Sequence, residues 1–173
     1  MSPPWRKLAL TTHVASSVGW VGALAAFLAL AVAGRTSDDV QLVRGTHLAM
    51  DVTVRFAIMP LALASVLTGV VQGLGTQWGL FRHYWVIVKL VVTIVATLVL
   101  LTELEPIRHL ADAAAQANLA RGTLLAERTS LVVHAGGGLV VLLVPMVLSI
   151  YKPRGLTRYG RRKQRAAGTA PAL

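Results

Sequence analysis

The sequence contains no cysteine, which excludes disulfides, thiolate metal sites and cysteine nucleophiles. Charge is scarce as well: 14% of the residues are charged, with only 7 Asp+Glu in 173, against about a quarter charged in an ordinary soluble domain. No nucleophile elbow, HExxH, Walker motif or carboxylate pair is present, so hydrolase and nucleotide-driven transport chemistries have nothing to stand on. The middles of the apolar runs hold no Asp or Glu, and Pro60 and Pro145 are the only helix-breaking residues there. A small-solute transporter with broken helices and midplane acids is therefore a weak fit.

What is present is apolar length. Hydrophobic residues make up 55% of the chain and the mean hydropathy is +0.64. Segments without a charge run to 27, 26, 13 and 23 residues, and a bilayer-spanning helix needs about 20. The reading is an all-α polytopic membrane protein: a four-transmembrane-helix bundle over residues 1–151, with spans at about 8–34, 56–75, 84–102 and 129–151, and a disordered basic tail over 152–173. A cleavable signal is the alternative for the first span, with Ala31-Val32-Ala33 as the cleavage site, but the run exceeds the 7 to 15 residues of a signal core. The second span is expected to extend outward as a helix through Asp51 and His47, with a kink at Pro60, whose ring frees the carbonyl of Phe56. Pro106 is expected to end the third span. The stretch from Glu105 to Arg128 reads as a short surface helix ending near Gly122.

Charge then orients the bundle. The formal net charge is +10, and much of the excess lies in Lys152, Arg154, Arg158, Arg161, Arg162, Lys163 and Arg165, where no acid intervenes. Arg6 and Lys7 precede the first span, and Arg82 lies between the second and third. The positive-inside rule places both termini and that middle loop in the cytoplasm. Trp5, Trp78, Tyr84, Trp85 and Tyr151 fall at the same boundary, as an aromatic belt does. The tail suits anionic lipid at about 1 kcal/mol per basic residue and not nucleic acid. Arginine outnumbers lysine 13 to 4, consistent with a high-GC bacterial genome and a multi-pass protein of the bacterial cytoplasmic membrane.

Ionisable groups inside a span cost about 2.5 to 3.5 kcal/mol at its centre and ask for a reason. His13 lies five residues into the first span and Lys89 five into the third. Both helices start on the same side, so both groups lie roughly 8 Å inside that boundary. His13, Ser16, Ser17 and Trp20 form an i, i+3, i+4, i+7 stripe. Lys89, Thr93 and Thr97 form another, and Ser65, Thr68, Gly69 and Gln72 a third. The three stripes are expected to converge on one inner-leaflet cavity, since bundle cores hold cofactors between facing helices. The alternatives are a Lys89 that snorkels to the headgroups and a His13 that makes a structural hydrogen bond. At the other boundary His47, Asp51 and Arg55 share a helical face, where an Asp51–Arg55 pair is expected. His134 lies beside Gly136, Gly137 and Gly138, which permit close packing or approach to a flat ligand, and is a weaker metal-ligand candidate. His83 and His109 are expected to be solvated.

The first helix, "HVASSVGWVGALAAFLAL", followed by "IMPLALASVLTGVVQGLGTQWGL" and "HYWVIVKLVVTI", resembles a bacterial family of four-helix integral membrane proteins without assigned function. It is similar, more distantly, to the membrane domain of copper resistance protein D and to HemJ-type protoporphyrinogen oxidase. The resemblance spans about residues 8 to 100. It implies haem binding supported by a first-helix histidine and a third-helix lysine, at the places of His13 and Lys89. Where HemJ-type enzymes carry Pro-Arg-Leu-Phe, this chain reads Ala26-Phe27-Leu28-Ala29, which speaks against porphyrinogen oxidation. Copper-handling relatives present several histidines and methionines, and no such cluster is evident.

The expected function is binding of b-type haem or a related porphyrin in the inner-leaflet half of the bundle. His13 is the axial ligand, Lys89 the second ligand or propionate partner, and Trp20, Ser17 and Gln72 line the site. No catalytic residue is assigned. The alternative is a non-catalytic membrane subunit or scaffold, for which a homo-oligomer or a membrane protein partner stays open.

Overall fold

The computed structural model describes residues 2–75, 79–116 and 124–168, with the side chains of 166–168 left out. Among these residues six helices follow in order: α1 (Pro3–Thr36), α2 (Val40–Thr53), α3 (Met59–Gly75), α4 (Tyr84–Ala115), α5 (Leu125–Tyr151) and α6 (Arg158–Gly168), with a π turn at Val54–Ile58 between α2 and α3. Four rods are long and apolar enough to cross a membrane: α1, the continuous Val40–Gly75, α4 and α5. No named strand occurs among the described residues.

Local chemistry explains the ends. Pro3 opens α1, where its missing N–H costs nothing because the first turn has no acceptor for it. Asp39 caps α2 by accepting the N–H groups of Gln41 and Leu42 at 2.9 and 3.5 Å, which satisfies two of the four orphan donors of a helix start. At Pro60 the rod does not stop. The N–H of Met59 reaches back five residues to the Val54 carbonyl, so the turn before the proline widens into π geometry. The expected kink is thus realised as an added residue in that turn, one of the known ways a helix accommodates a proline.

The rods are wrapped in apolar side chains on their outer faces: Val14, Val18, Leu63, Leu67, Val91, Leu98, Val140 and Val147 are all exposed. This is what lipid-facing helices require. The interior is a thin core of Trp20, Phe27, Met50, Ile58, Ala62, Leu110, Leu131 and Leu142. Lipid tails are as apolar as leucine, so close packing and interhelical hydrogen bonds, more than the hydrophobic effect, hold such rods together.

Three expectations need correction. Pro106 does not end the third span: α4 runs through it to Ala115. Beyond it Ile107, Leu110, Ala111 and Ala114, spaced i, i+3, i+4, i+7, are buried, and that packing offsets the roughly 3 kcal/mol of an interior proline. The separate surface helix is therefore absent up to Gln116, its residues being the end of α4; Gly122 and Arg121 lie outside the described residues, as does Trp78. The tail is not structureless. Residues 158–168 form α6, and Thr157 anchors it by donating from Oγ1 to the Phe81 carbonyl at 2.6 Å and from its backbone N–H to the Arg82 carbonyl at 3.1 Å.

Candidate functional site

The starts of α1 and α4 and the ends of α3 and α5 lie at one end of the bundle, the tail end. There α1 and α3 run antiparallel and are joined by three polar rungs. Gln72 donates from Nε2 to the Ala9 carbonyl at 2.8 Å, His13 Nδ1 lies 3.0 Å from Thr68 Oγ1, and Ser17 and Ser65 share a hydroxyl hydrogen bond at 2.7 Å. Residues 9, 13 and 17 climb α1 in steps of four while 72, 68 and 65 descend α3. The close approach needs Gly69, where a Cβ would stand 3.1 Å from His13 Cε1.

The rung at His13 fixes the imidazole. Thr68 donates its own hydroxyl proton to the Ala64 carbonyl at 2.5 Å, so toward His13 it accepts. Nδ1 of His13 therefore carries the proton and Nε2 keeps its lone pair. An imidazole held by Nδ1 in this way is set up as a ligand or a base.

His13, Ser65, Gln72, Lys89 and Thr93 line one cavity of about 110 Å³, together with Gly69, Gly73 and Trp85. His13 and Lys89 do share a depth and a space. The ammonium of Lys89 lies 5.7 Å from the Trp85 ring centroid, within cation–π range. The hydroxyls of Thr93 and Thr97 are spent on α4 itself, donating to the Lys89 and Thr93 carbonyls. Ser17 sits one rung beyond the cavity. Trp20 is not part of this site at all. A cavity of 110 Å³ has room for a few waters at about 30 Å³ each, and it falls below the roughly 300 Å³ at which ligand cavities begin. The donors of this inner pocket, an imidazole, an amide and hydroxyls beside an ammonium, suit a proton or a small polar guest.

Trp20 lines a second cavity, of about 380 Å³, deeper in the bundle. Its walls are Trp20 and Phe27 of α1, Val54 and Ile58 of the π turn, Val99 and Glu103 of α4, and His134, Gly137 and Gly138 of α5. The wall is apolar except for one pair: His134 Nδ1 lies 3.2 Å from Glu103 Oε1 and 3.1 Å from Ser130 Oγ. The Glu103 side chain is 17% exposed and that of His134 48%. Both contacts engage Nδ1, so Nε2 is the nitrogen left for a ligand, and a carboxylate beside Nδ1 is a common outer-shell neighbour of a ligating histidine. A Cβ on Gly137 would meet nothing within 4 Å. Val99 and Val133 on the rim are exposed, so the cavity opens toward lipid between α4 and α5.

The remaining candidates do not join either site. His47 is 1% exposed, and its Nδ1–H donates to the Val43 carbonyl at 2.6 Å. Asp51 and Arg55 form the expected pair, at 2.8 Å. His109, expected to be solvated, is exposed and pairs with Glu127 at 3.1 Å. Among the described residues no three His, Asp or Glu side chains gather as a metal cluster. The residue that sequence reasoning missed is Glu103, which lies one position past the expected end of the third span at 102. No family model, curated protein or solved structure matches this chain.

Proposed function

We propose that this multi-pass membrane protein binds a planar lipophilic ligand in its deeper cavity, and that a b-type haem or related porphyrin is the ligand class. The observation that carries the reading is an apolar space of about 380 Å³ whose one polar feature is an imidazole backed by a carboxylate. That volume falls within the range of ligand cavities. Trp20 and Phe27 offer ring faces, Gly137 leaves backbone open to a flat surface, and His134 supplies Nε2. Bound haem would add one-electron chemistry there. The cavity at His134 is the roomier of the two, which favours it over the pocket at His13 for this ligand. Membrane insertion in a bacterial cytoplasmic membrane, with the basic tail on the anionic inner leaflet, completes the reading.

The test is an absorption spectrum of detergent-purified protein expressed with haem supplied. A Soret band that survives His13→Ala and is lost or shifted in His134→Ala supports the assignment. Absence of a Soret band from the wild-type protein refutes the haem reading. A band that depends on His13 alone refutes its placement.

A further inference from the structure

The tail is built onto the bundle by backbone hydrogen bonds. Besides the Thr157 contacts to the Phe81 and Arg82 carbonyls, the N–H of Tyr84 donates to the Gly155 carbonyl at 3.3 Å. The N–H of Gly160 donates to Thr157 Oγ1 at 3.0 Å. Gly160 is buried against Arg82 so closely that a Cβ would strike the Arg82 carbonyl. No other residue type fits that position without moving the chain. The segment from 152 to 164 is therefore placed by specific contacts, not merely held near the surface by charge.

Between this docked segment and the start of α4 lies a cavity of about 750 Å³, lined by Arg82, Lys152, Arg154, Arg161, Gln164 and Trp85. Four of its side chains are cationic, and no Asp or Glu lines it among the described residues. It lies where α5 ends, at the level of Trp85 and the exposed Tyr84 and Tyr151, which is where lipid headgroups sit.

We propose that this cavity is a stoichiometric site for the phosphodiester headgroup of an anionic lipid. The guanidiniums of Arg154 and Arg161 carry the paired N–H donors that match phosphate oxygens, and Arg82 and Lys152 add positive charge beside them. Basic pockets of this kind at the cytoplasmic side of helix bundles take acidic headgroups, and the indole of Trp85 suits the glycerol level of the lipid. The inference rests on the reading that the tail faces the anionic leaflet and is independent of the haem reading. The lipid remains on the protein whether or not a Soret band is found.

The shared chemistry is a phosphate, and its source is decided by native mass spectrometry of the full chain in neutral detergent. The probes are phosphatidylglycerol, phosphatidylcholine and soluble glycerol 3-phosphate. The expected result is one retained phosphatidylglycerol, with phosphatidylcholine bound about tenfold or more weakly and glycerol 3-phosphate unable to displace the lipid. Arg154→Gln with Arg161→Gln weakens retention about tenfold or more, whereas Arg162→Gln with Lys163→Gln removes the same charge outside the cavity and changes it less than about twofold. Equal loss in the two double variants means diffuse charge and overturns the site. Displacement by glycerol 3-phosphate, or by a single-stranded oligonucleotide at lower concentration, overturns the lipid as its occupant. Far-UV circular dichroism of each variant confirms that the bundle is intact.

Discussion

Gly34 and Gly45 make a matched pair near the far end of the bundle. Both are helical, yet one is enclosed and the other exposed. A Cβ on Gly34 would lie 2.7 Å from Thr46 Oγ1 and 3.0 Å from His47 Cε1. Neither neighbour can retreat cheaply. Thr46 Oγ1 donates to the Val43 carbonyl at 2.8 Å and His47 Nδ1 donates to the same oxygen at 2.6 Å, and both side chains are buried. Gly34→Ala therefore forces α1 and α2 apart or breaks one of those bonds, an overpacking cost of about 1–3 kcal/mol. The helix-propensity gain of about 0.5–1 kcal/mol that alanine brings offsets only part of it. A Cβ on Gly45 meets nothing within 4 Å, so Gly45→Ala keeps the whole gain. The two variants should differ by about 2 kcal/mol, or roughly 4–8 °C in melting temperature for a domain of this size. Thermal unfolding in detergent, followed by circular dichroism, reads this difference directly. If Gly34→Ala melts at or above the wild-type temperature, the close crossing of α1 and α2 is wrong.

Two further outcomes are expected. Thr68→Val removes the oxygen that accepts from His13 and costs about 1 kcal/mol. Nitrogen NMR of labelled histidine should then show His13 shifting from the Nδ1–H form toward the Nε2–H form, and an unchanged tautomer would contradict the rung. Thr157→Val removes the hydroxyl that joins Gly160 to the Phe81 carbonyl. Trypsin should cut at Arg158 and Arg161 about tenfold faster or more, because cleavage follows the population of the undocked tail, and equal rates would mean that the anchor is elsewhere.

The four rods were legible because lipid leaves the backbone no alternative to a helix over a long apolar run. The meeting of His13 with Thr68 and Lys89 was legible in part for the same reason. Spans that begin at one boundary, as α1 and α4 do, bring equal depths together, and the stripes supplied the faces. Trp20 went astray on the axial coordinate. Seven residues return to nearly the same face as His13 but lie about 10.5 Å further along the helix, past the last rung and into the next cavity. Pro106 misled in the opposite sense, since a proline removes only one hydrogen bond while Ile107, Leu110, Ala111 and Ala114 gain a buried seam. The pairing of Glu103 with His134 depends on the register between α4 and α5, which no local pattern encodes. Composition read the tail as disordered, whereas residues 158–168 are helical; the docking uses one threonine, one glycine and backbone carbonyls, which composition does not register.

The π turn at Val54–Ile58 has an effect on phase. Val43 and Ala62 are both buried, as are Thr46 and Ser65, and each pair is nineteen positions apart in the sequence. In an uninterrupted α-helix nineteen residues leave two side chains about 100° out of line, whereas eighteen complete five turns. One residue absorbed by the π turn makes up that difference. The rod can thus present a single seam from one membrane boundary to the other although its two halves are written in different registers. Deleting one residue between 54 and 58 would restore α geometry without disturbing that alignment, while an insertion there would turn His47 and Thr46 away from α1.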